Sequence, residues 1–133
     1  MNAKKDESVS KKSAQTILIV DDDPGIIRLV GALLKDHGYA VESATDGLEA
    51  LVKIKNNKPD LVILDIMMPE INGYDVCYQL RFNKDYVNIP IIILTVRDQE
   101  LDEVISKKAN IEYMHKPVES KHLLDKIGSL LAK

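Results

Sequence analysis

Leu61-Val62-Ile63-Leu64 is an unbroken apolar run that stops abruptly at Asp65. Met68-Pro69-Glu70-Ile71-Asn72-Gly73 follows and is rich in turn formers. A short apolar run bounded by turn residues reads as a strand covered on both faces, the signature of a parallel sheet. The pattern recurs. Thr16-Ile17-Leu18-Ile19-Val20 runs into Asp21-Asp22-Asp23-Pro24, and Ile91-Ile92-Ile93-Leu94, opened by Pro90, ends in Thr95. Tyr39 to Ser43 and Ile111 to His115 read as two shorter strands.

Between these runs the pattern changes to the periodicity of a helix. After Asp23, a good N-cap, and Pro24, suited to a first helical position, Ile26, Val30, Leu33 and Leu34 mark one face, with Leu29 alongside, and Gly38 ends the segment. Asp46 caps a second helix whose expected apolar face is Leu48, Leu51, Val52 and Ile54, broken at Asn56-Asn57-Lys58-Pro59. A third helix is expected from Tyr74 to Asn83, with Val76, Cys77 and Leu80 inward, and a fourth from Gln99 to Lys107. The last spans Ser120 to Leu131 and buries Leu123, Leu124, Ile127 and Leu130. Five strands alternating with five helices predict an α/β fold: a doubly wound five-stranded parallel sheet with right-handed crossovers.

The 133 residues suit one domain with a proper core. Residues 1–15 are polar, Lys/Ser-rich and aperiodic, and are expected to be a disordered tail ahead of a domain over 16–133. The formal net charge of −3 gives no sign of a nucleic-acid-binding face. No apolar run approaches the ~20 residues of a membrane span, and with no apolar h-region near Met1 a secretory leader is not expected. The single Cys77 cannot form an intramolecular disulfide and fits a reducing compartment, so the expected location is cytoplasmic. No second domain is expected after the last helix.

In a sheet of this kind ligands bind at the carboxyl ends of the strands. Strand one delivers Asp21 and Asp22 there, strand three Asp65, strand four Thr95 and strand five Lys116. Three converging carboxylates cannot all stay ionised without a cation. Oxygen donors in an incomplete cage suit Mg²⁺, which keeps several waters and shares its site with a phosphate. A hydroxyl and an ammonium opposite could hold phosphoryl oxygens, so the set reads as metal-assisted phosphoryl transfer.

Ile17-Leu18-Ile19-Val20-Asp21-Asp22-Asp23-Pro24, Leu64-Asp65-Ile66-Met67-Met68-Pro69-Glu70-Ile71-Asn72-Gly73, Ile93-Leu94-Thr95 and Tyr113-Met114-His115-Lys116-Pro117 together resemble the receiver domain of two-component response regulators. Each motif alone is moderately specific; all of them in order and at this spacing are highly so. The resemblance runs from about Thr16 to the C-terminus. It implies a flavodoxin-like sheet of order 2-1-3-4-5. It also implies Asp65 as phosphoacceptor, loaded by a sensor histidine kinase or histidine phosphotransfer protein. Asp22 would be the direct ligand of Mg²⁺ (or Mn²⁺) and Asp21 a ligand through water, with Asp65 and the Met67 backbone carbonyl completing the set. Thr95 would be the switch hydroxyl, Lys116 the lysine that pairs with a phosphoryl oxygen, and Tyr113 the aromatic that rotates inward with Thr95. The Lys116-Pro117 bond would be cis. Such a domain is a phosphoacceptor switch rather than a turnover enzyme, with a phosphorylation-dependent homodimer through the fourth helix, fifth strand and fifth helix as an implied output. It neither binds nucleic acid directly nor enters a membrane.

Some positions depart from the family pattern. Val96 stands where a small residue is usual, and Lys108-Ala109-Asn110-Ile111 replaces a Gly-Ala corner. Met67 and Arg97 occupy positions that tune loss of the phosphoryl group in this family. Met67 cannot orient water by hydrogen bond and Arg97 could shield the phosphoryl group, which predicts a long-lived phospho-Asp65. Two rival readings remain. Asp21-Asp22-Asp23 also fits a haloacid-dehalogenase-like phosphatase with Asp21 as nucleophile and Asp23 as acid/base, although Pro24 replaces the usual glycine and Asp65 would have no role. A receiver-like module that never takes phosphate is the other.

Overall fold

A computed structural model of the chain describes residues 14–68, 72–95, 105 and 107–132. The strands are β1 (Thr16–Val20), β2 (Ala40–Ala44), β3 (Leu61–Asp65), β4 (Ile91–Thr95) and β5 (Ile111–His115). The helices are α1 (Pro24–Asp36), α2 (Gly47–Asn56), α3 (Gly73–Arg81) and α4 (Ser120–Leu131). All strand pairings are parallel and the sheet order is β2-β1-β3-β4-β5. This is the doubly wound, flavodoxin-like order. The expected helix over Gln99–Lys107 lies almost wholly outside the described residues, so four of the five expected helices are described.

The apolar runs are buried on both sides, as continuous runs must be. Along β1, Ile17 and Ile19 join a cluster with α1 and α4, while Leu18 and Val20 join a second cluster with α2 and α3. Strands β3 and β4 are buried at every position. The helices attach through local chemistry that the sequence announces. Asp23 accepts from Gly25 N at 2.8 Å and Pro24 opens α1, which Gly38 closes with a φ of 91°. Asn72 and Asp75 form a reciprocal capping box on α3.

Two expectations on helix faces are corrected. Leu48 and Val52 are 59% and 51% exposed, and α2 buries Gly47, Ala50 and Ile54 instead, with Leu51 partly covered. Small Gly47 and Ala50 let the helix lie close to the sheet, which rotates the bulkier Leu48 and Val52 outward. Leu29 on α1 is also exposed. The second strand begins one residue later than expected, at Ala40, whose N–H donates to the Gln15 carbonyl.

Asp46 Oδ1 accepts from Glu49 N at 2.8 Å and so caps α2. Asp46→Ala is expected to lower stability by about 1 kcal/mol, read as a shift in a thermal or urea melt without change in cooperativity.

Candidate functional site

The carboxyl ends of β1, β3 and β5 bring Asp21, Asp22, Asp65 and Lys116 together, and Thr95 ends the neighbouring β4. Asp21 follows β1, and its N–H donates to Ala44 O at 3.1 Å, continuing the pairing with β2. Asp21 is fully buried, Asp65 is 4% exposed and Asp22 is exposed. One carboxylate oxygen from each lies within 4.8 Å of those of the other two. The turns hold these groups: Asp23 N donates to Asp21 Oδ1 at 2.9 Å, and Met67 N donates to Asp65 Oδ1 at 3.0 Å. The Met67 side chain is exposed beside the cluster.

Lys116 reaches in from the end of β5. Its Nζ is 3.1 Å from Asp21 Oδ2 and 3.6 Å from Asp65 Oδ2. Lys116 N also donates to Thr95 O at 2.9 Å, and the Lys116-Pro117 peptide bond is cis. Thr95 is buried at the end of β4, one residue beyond Leu94, the register partner of Asp65. Tyr113 pairs with Ile93, is half-buried against the α2/α3 cluster, and has its hydroxyl oxygen buried. Val96 and Arg97 lie outside the described residues.

Burial pushes the Asp65 carboxyl above its ordinary value; the Met67 N–H opposes this and the Asp21 charge reinforces it. Burial alone would lower the Lys116 pKa, but its close pairing with Asp21 and the charge of Asp65 outweigh that and leave it raised. Lys116 therefore stays charged. Among the described residues a single ammonium faces three carboxylates, which leaves an excess of negative charge in a partly desolvated pocket. Asp21 Oδ2 is buried and has no hydrogen-bond partner; Lys116 Nζ pairs with it by charge at 3.1 Å. A buried carboxylate oxygen with a lone pair to spare, flanked by other hard oxygen donors, fits a metal cation. Asp21, Asp22 and Asp65 could hold one.

Asp23 does not join the cluster, because its side chain caps α1. Asp23 is thus committed to the helix end rather than to acid/base work, and the phosphatase scheme finds no support. One residue that carries no motif stands out only in the structure: Arg81, at the last turn of α3, is a buried charge.

A doubly wound five-stranded sheet with an acidic trio, a hydroxyl and a lysine at its carboxyl edge defines a receiver domain. The chain belongs to the response regulator receiver family of two-component systems, whose domain profile matches residues 17–128. Response regulator MprA of Mycobacterium sp. (strain KMS) is 42% identical over 118 residues, which is 88% of this chain and 50% of MprA. The chain thus spans about half the length of several curated relatives that it matches. Protein PilH of Pseudomonas aeruginosa is 39% identical over 117 residues, 87% of this chain and 97% of PilH. In three dimensions the chain resembles a CheY-like receiver domain protein from Methanospirillum hungatei JF-1. The TM-score is 0.82 at 33% identity, covering 90% of this chain and 95% of that one. Receiver domains are the switch domains of response regulators. Among the described residues no helix is long and apolar enough to cross a membrane.

Proposed function

We propose that this domain takes a phosphoryl group onto Asp65 from the phosphohistidine of a sensor histidine kinase or histidine phosphotransfer protein, and changes its output surface in response. The arrangement of Lys116 over both Asp21 and Asp65 carries the reading. One Asp65 carboxylate oxygen attacks phosphorus, the donor's P–N bond breaks, and the imidazole leaves with the electron pair and takes up a proton. The product is an acyl phosphate on Asp65. Asp21, Asp22, Asp65 and the Met67 backbone carbonyl are the groups that would hold Mg²⁺ (or Mn²⁺), which when bound supplies positive charge to the phosphoryl oxygens. Lys116 leaves Asp65 to pair with a phosphoryl oxygen, and the Thr95 hydroxyl takes another. Tyr113 then follows Thr95.

The domain acts as a switch that catalyses only its own phosphorylation and dephosphorylation. The surface built by β5 and α4, with the helix expected between β4 and β5, is the one proposed to form a homodimer on phosphorylation. The single Cys77 is buried and fits a reducing cytoplasm. The domain over residues 16–133 is proposed to follow a polar tail. Incubation with acetyl phosphate and Mg²⁺ tests the reading: acid-stable, base-labile phosphate trapped on Asp65 supports it, and continuous turnover of a phosphomonoester without trapping overturns it.

Met67 offers no hydrogen bond to an attacking water, so phospho-Asp65 is expected to be long-lived, with Arg97 as an added shield. Phosphate release after removal of the donor measures this; a lifetime of seconds counts against it. Met67→Asn, which adds a hydrogen-bonding group beside Asp65, is expected to shorten the lifetime about tenfold.

A further inference from the structure

Asp21 is held at both its side chain and its main chain. Lys116 pairs with Oδ2 and Asp23 N donates to Oδ1, which hold the carboxylate. The Asp21 N–H donates to Ala44 O at 3.1 Å, which holds the backbone that carries it. Ala44 is the last residue of β2 and the register partner of Val20. The corner between β2 and α2 therefore sets where the Asp21 main chain lies.

Glu49, in the first turn of α2, closes that corner. Its Oε1 accepts from Thr45 N at 2.8 Å and from Thr45 Oγ1 at 3.1 Å. Its Oε2 lies 3.4 Å from Lys53 Nζ one turn on, and Lys53 in turn donates to Ser43 O. Ala44 is thereby bracketed. The residue before it is held through its carbonyl, and the residue after it through its N–H and hydroxyl. At 38% and 41% exposure the Lys53–Glu49 pair stabilises little by charge alone. Its effect lies in aim, because the charge-assisted hydrogen bonds of the two groups end on the residues that flank Ala44. The Thr45 N–H holds the Glu49 carboxyl below its ordinary value, so its charge persists at neutral pH. Asp46 caps the same helix end by a separate bond, accepting from Glu49 N.

We infer that Glu49 is a positioning residue for the acidic site: through Thr45 and Lys53 it fixes the Ala44 carbonyl, and through that carbonyl the place of Asp21. Glu49 stands outside the trio of Asp21, Asp22 and Asp65 and acts only through the corner. Groups behind the ligands of a metal set its affinity by about 10- to 100-fold, because they decide whether the ligands are in place before the cation arrives. The inference rests on the reading of that trio as a Mg²⁺ site.

The test compares the whole chain with Glu49→Ala, Glu49→Gln and Asp46→Ala. Glu49→Gln keeps an acceptor for Thr45 and loses the charge. Asp46→Ala weakens the same helix end and leaves the Glu49 carboxylate in place. Amide hydrogen exchange in chelator, followed by ¹⁵N NMR, reads the Asp21 N–H directly, with the amides of β3 reporting overall stability. Relative to those amides, exchange at Asp21 is expected to be about tenfold faster in Glu49→Ala and about threefold faster in Glu49→Gln. In Asp46→Ala it is expected to stay within about twofold of the unsubstituted chain. Calorimetric titration with Mg²⁺ is expected to show affinity about tenfold weaker in Glu49→Ala and unchanged in Asp46→Ala. Equal losses in Glu49→Ala and Asp46→Ala make Glu49 a helix cap and overturn the inference. An unaltered Asp21 amide or an unaltered Mg²⁺ affinity in folded Glu49→Ala overturns it too. If Glu49→Ala shows no cooperative melt, Glu49→Gln decides by the same two measurements. An unsubstituted protein that binds no Mg²⁺ overturns the metal-site reading, and the Asp21 amide in chelator then decides the role of Glu49 by itself.

Discussion

Asp65→Asn is expected to abolish phosphoryl uptake from acetyl phosphate and, in chelator, to make the protein more stable. The first effect follows from the chemistry: an amide oxygen at this position is not a nucleophile, and neither Asp21, which is fully buried, nor Asp22 occupies the same place on β3. The second follows from the cost of the carboxylate. Burial raises the Asp65 pKa in the folded chain, and Asp21 adds to the effect. The folded state then binds this proton more tightly than the unfolded state does. Stability from this group is full at the acid end and falls as pH rises from the ordinary carboxylate value through the raised folded value; above that it is flat. Asn at this position removes the fall. The gain at neutral pH is expected to be roughly 1 kcal/mol, some 4 °C in Tm, part of the relief being lost with the Lys116 contact. Melts of both proteins across pH measure it. Curves that run parallel through the acid range would sink the argument. Mg²⁺ is expected to raise the Tm of the unsubstituted protein more than that of Asp65→Asn. Unchanged partner binding by Asp65→Asn after treatment with acetyl phosphate would revive the reading of a module that never takes phosphate.

Gly73→Ala is expected to be strongly damaging for so small a substitution. A Cβ at this position would lie 2.5 Å from Asp65 O and 2.6 Å from Ile66 Cα, both rigid backbone at the end of β3. Helix α3 cannot back away, because Val76, Cys77 and Leu80 are buried beneath it and Asn72 caps it with reciprocal hydrogen bonds. The clash must displace the backbone that carries Asp65. A loss of about 3 kcal/mol is expected, with roughly tenfold weaker Mg²⁺ binding. Both are read by a urea melt and a metal titration on the same sample. Gly128→Ala is the control: its Cβ meets nothing within 4 Å in the middle of α4. That change is expected to raise stability by about 0.5–1 kcal/mol. A Gly73→Ala protein that melts and binds metal like the unsubstituted chain would show that the turn is softer than its contacts indicate.

The difference between these two glycines was only half visible in the residues. Gly73 sits in a recognisable turn, but its contact with the Asp65 carbonyl is made across the fold. The helix faces show a similar limit. Over the ten residues of α2, Leu48, Leu51, Val52 and Ile54 fit one helical stripe, and nothing local says that Gly47 and Ala50 face the sheet instead. Strands β3 and β4 were legible because every residue in them is apolar up to the polar one at the end, so no choice of face had to be made. Arg81 was not legible at all. An arginine in the last turn of a helix ordinarily faces solvent and favours the helix dipole. Its burial depends on carbonyls that residues 86, 89 and 110 supply from other parts of the chain.

By itself the sequence determined the alternation of strand and helix, the parallel sheet, and the donor set at its carboxyl edge. Those are carried by short-range periodicity and by which residue ends each run. The tertiary structure decided how the donors differ. Asp21 lies wholly buried under Lys116 while its neighbour Asp22 faces solvent, and Asp23 is drawn away to cap α1. Successive residues along a strand and into a turn point in different directions, and only the packing of other strands and helices determines which direction is inside. The same reason turns Arg81 of α3 inward, onto the carbonyls of Tyr86, Ile89 and Asn110.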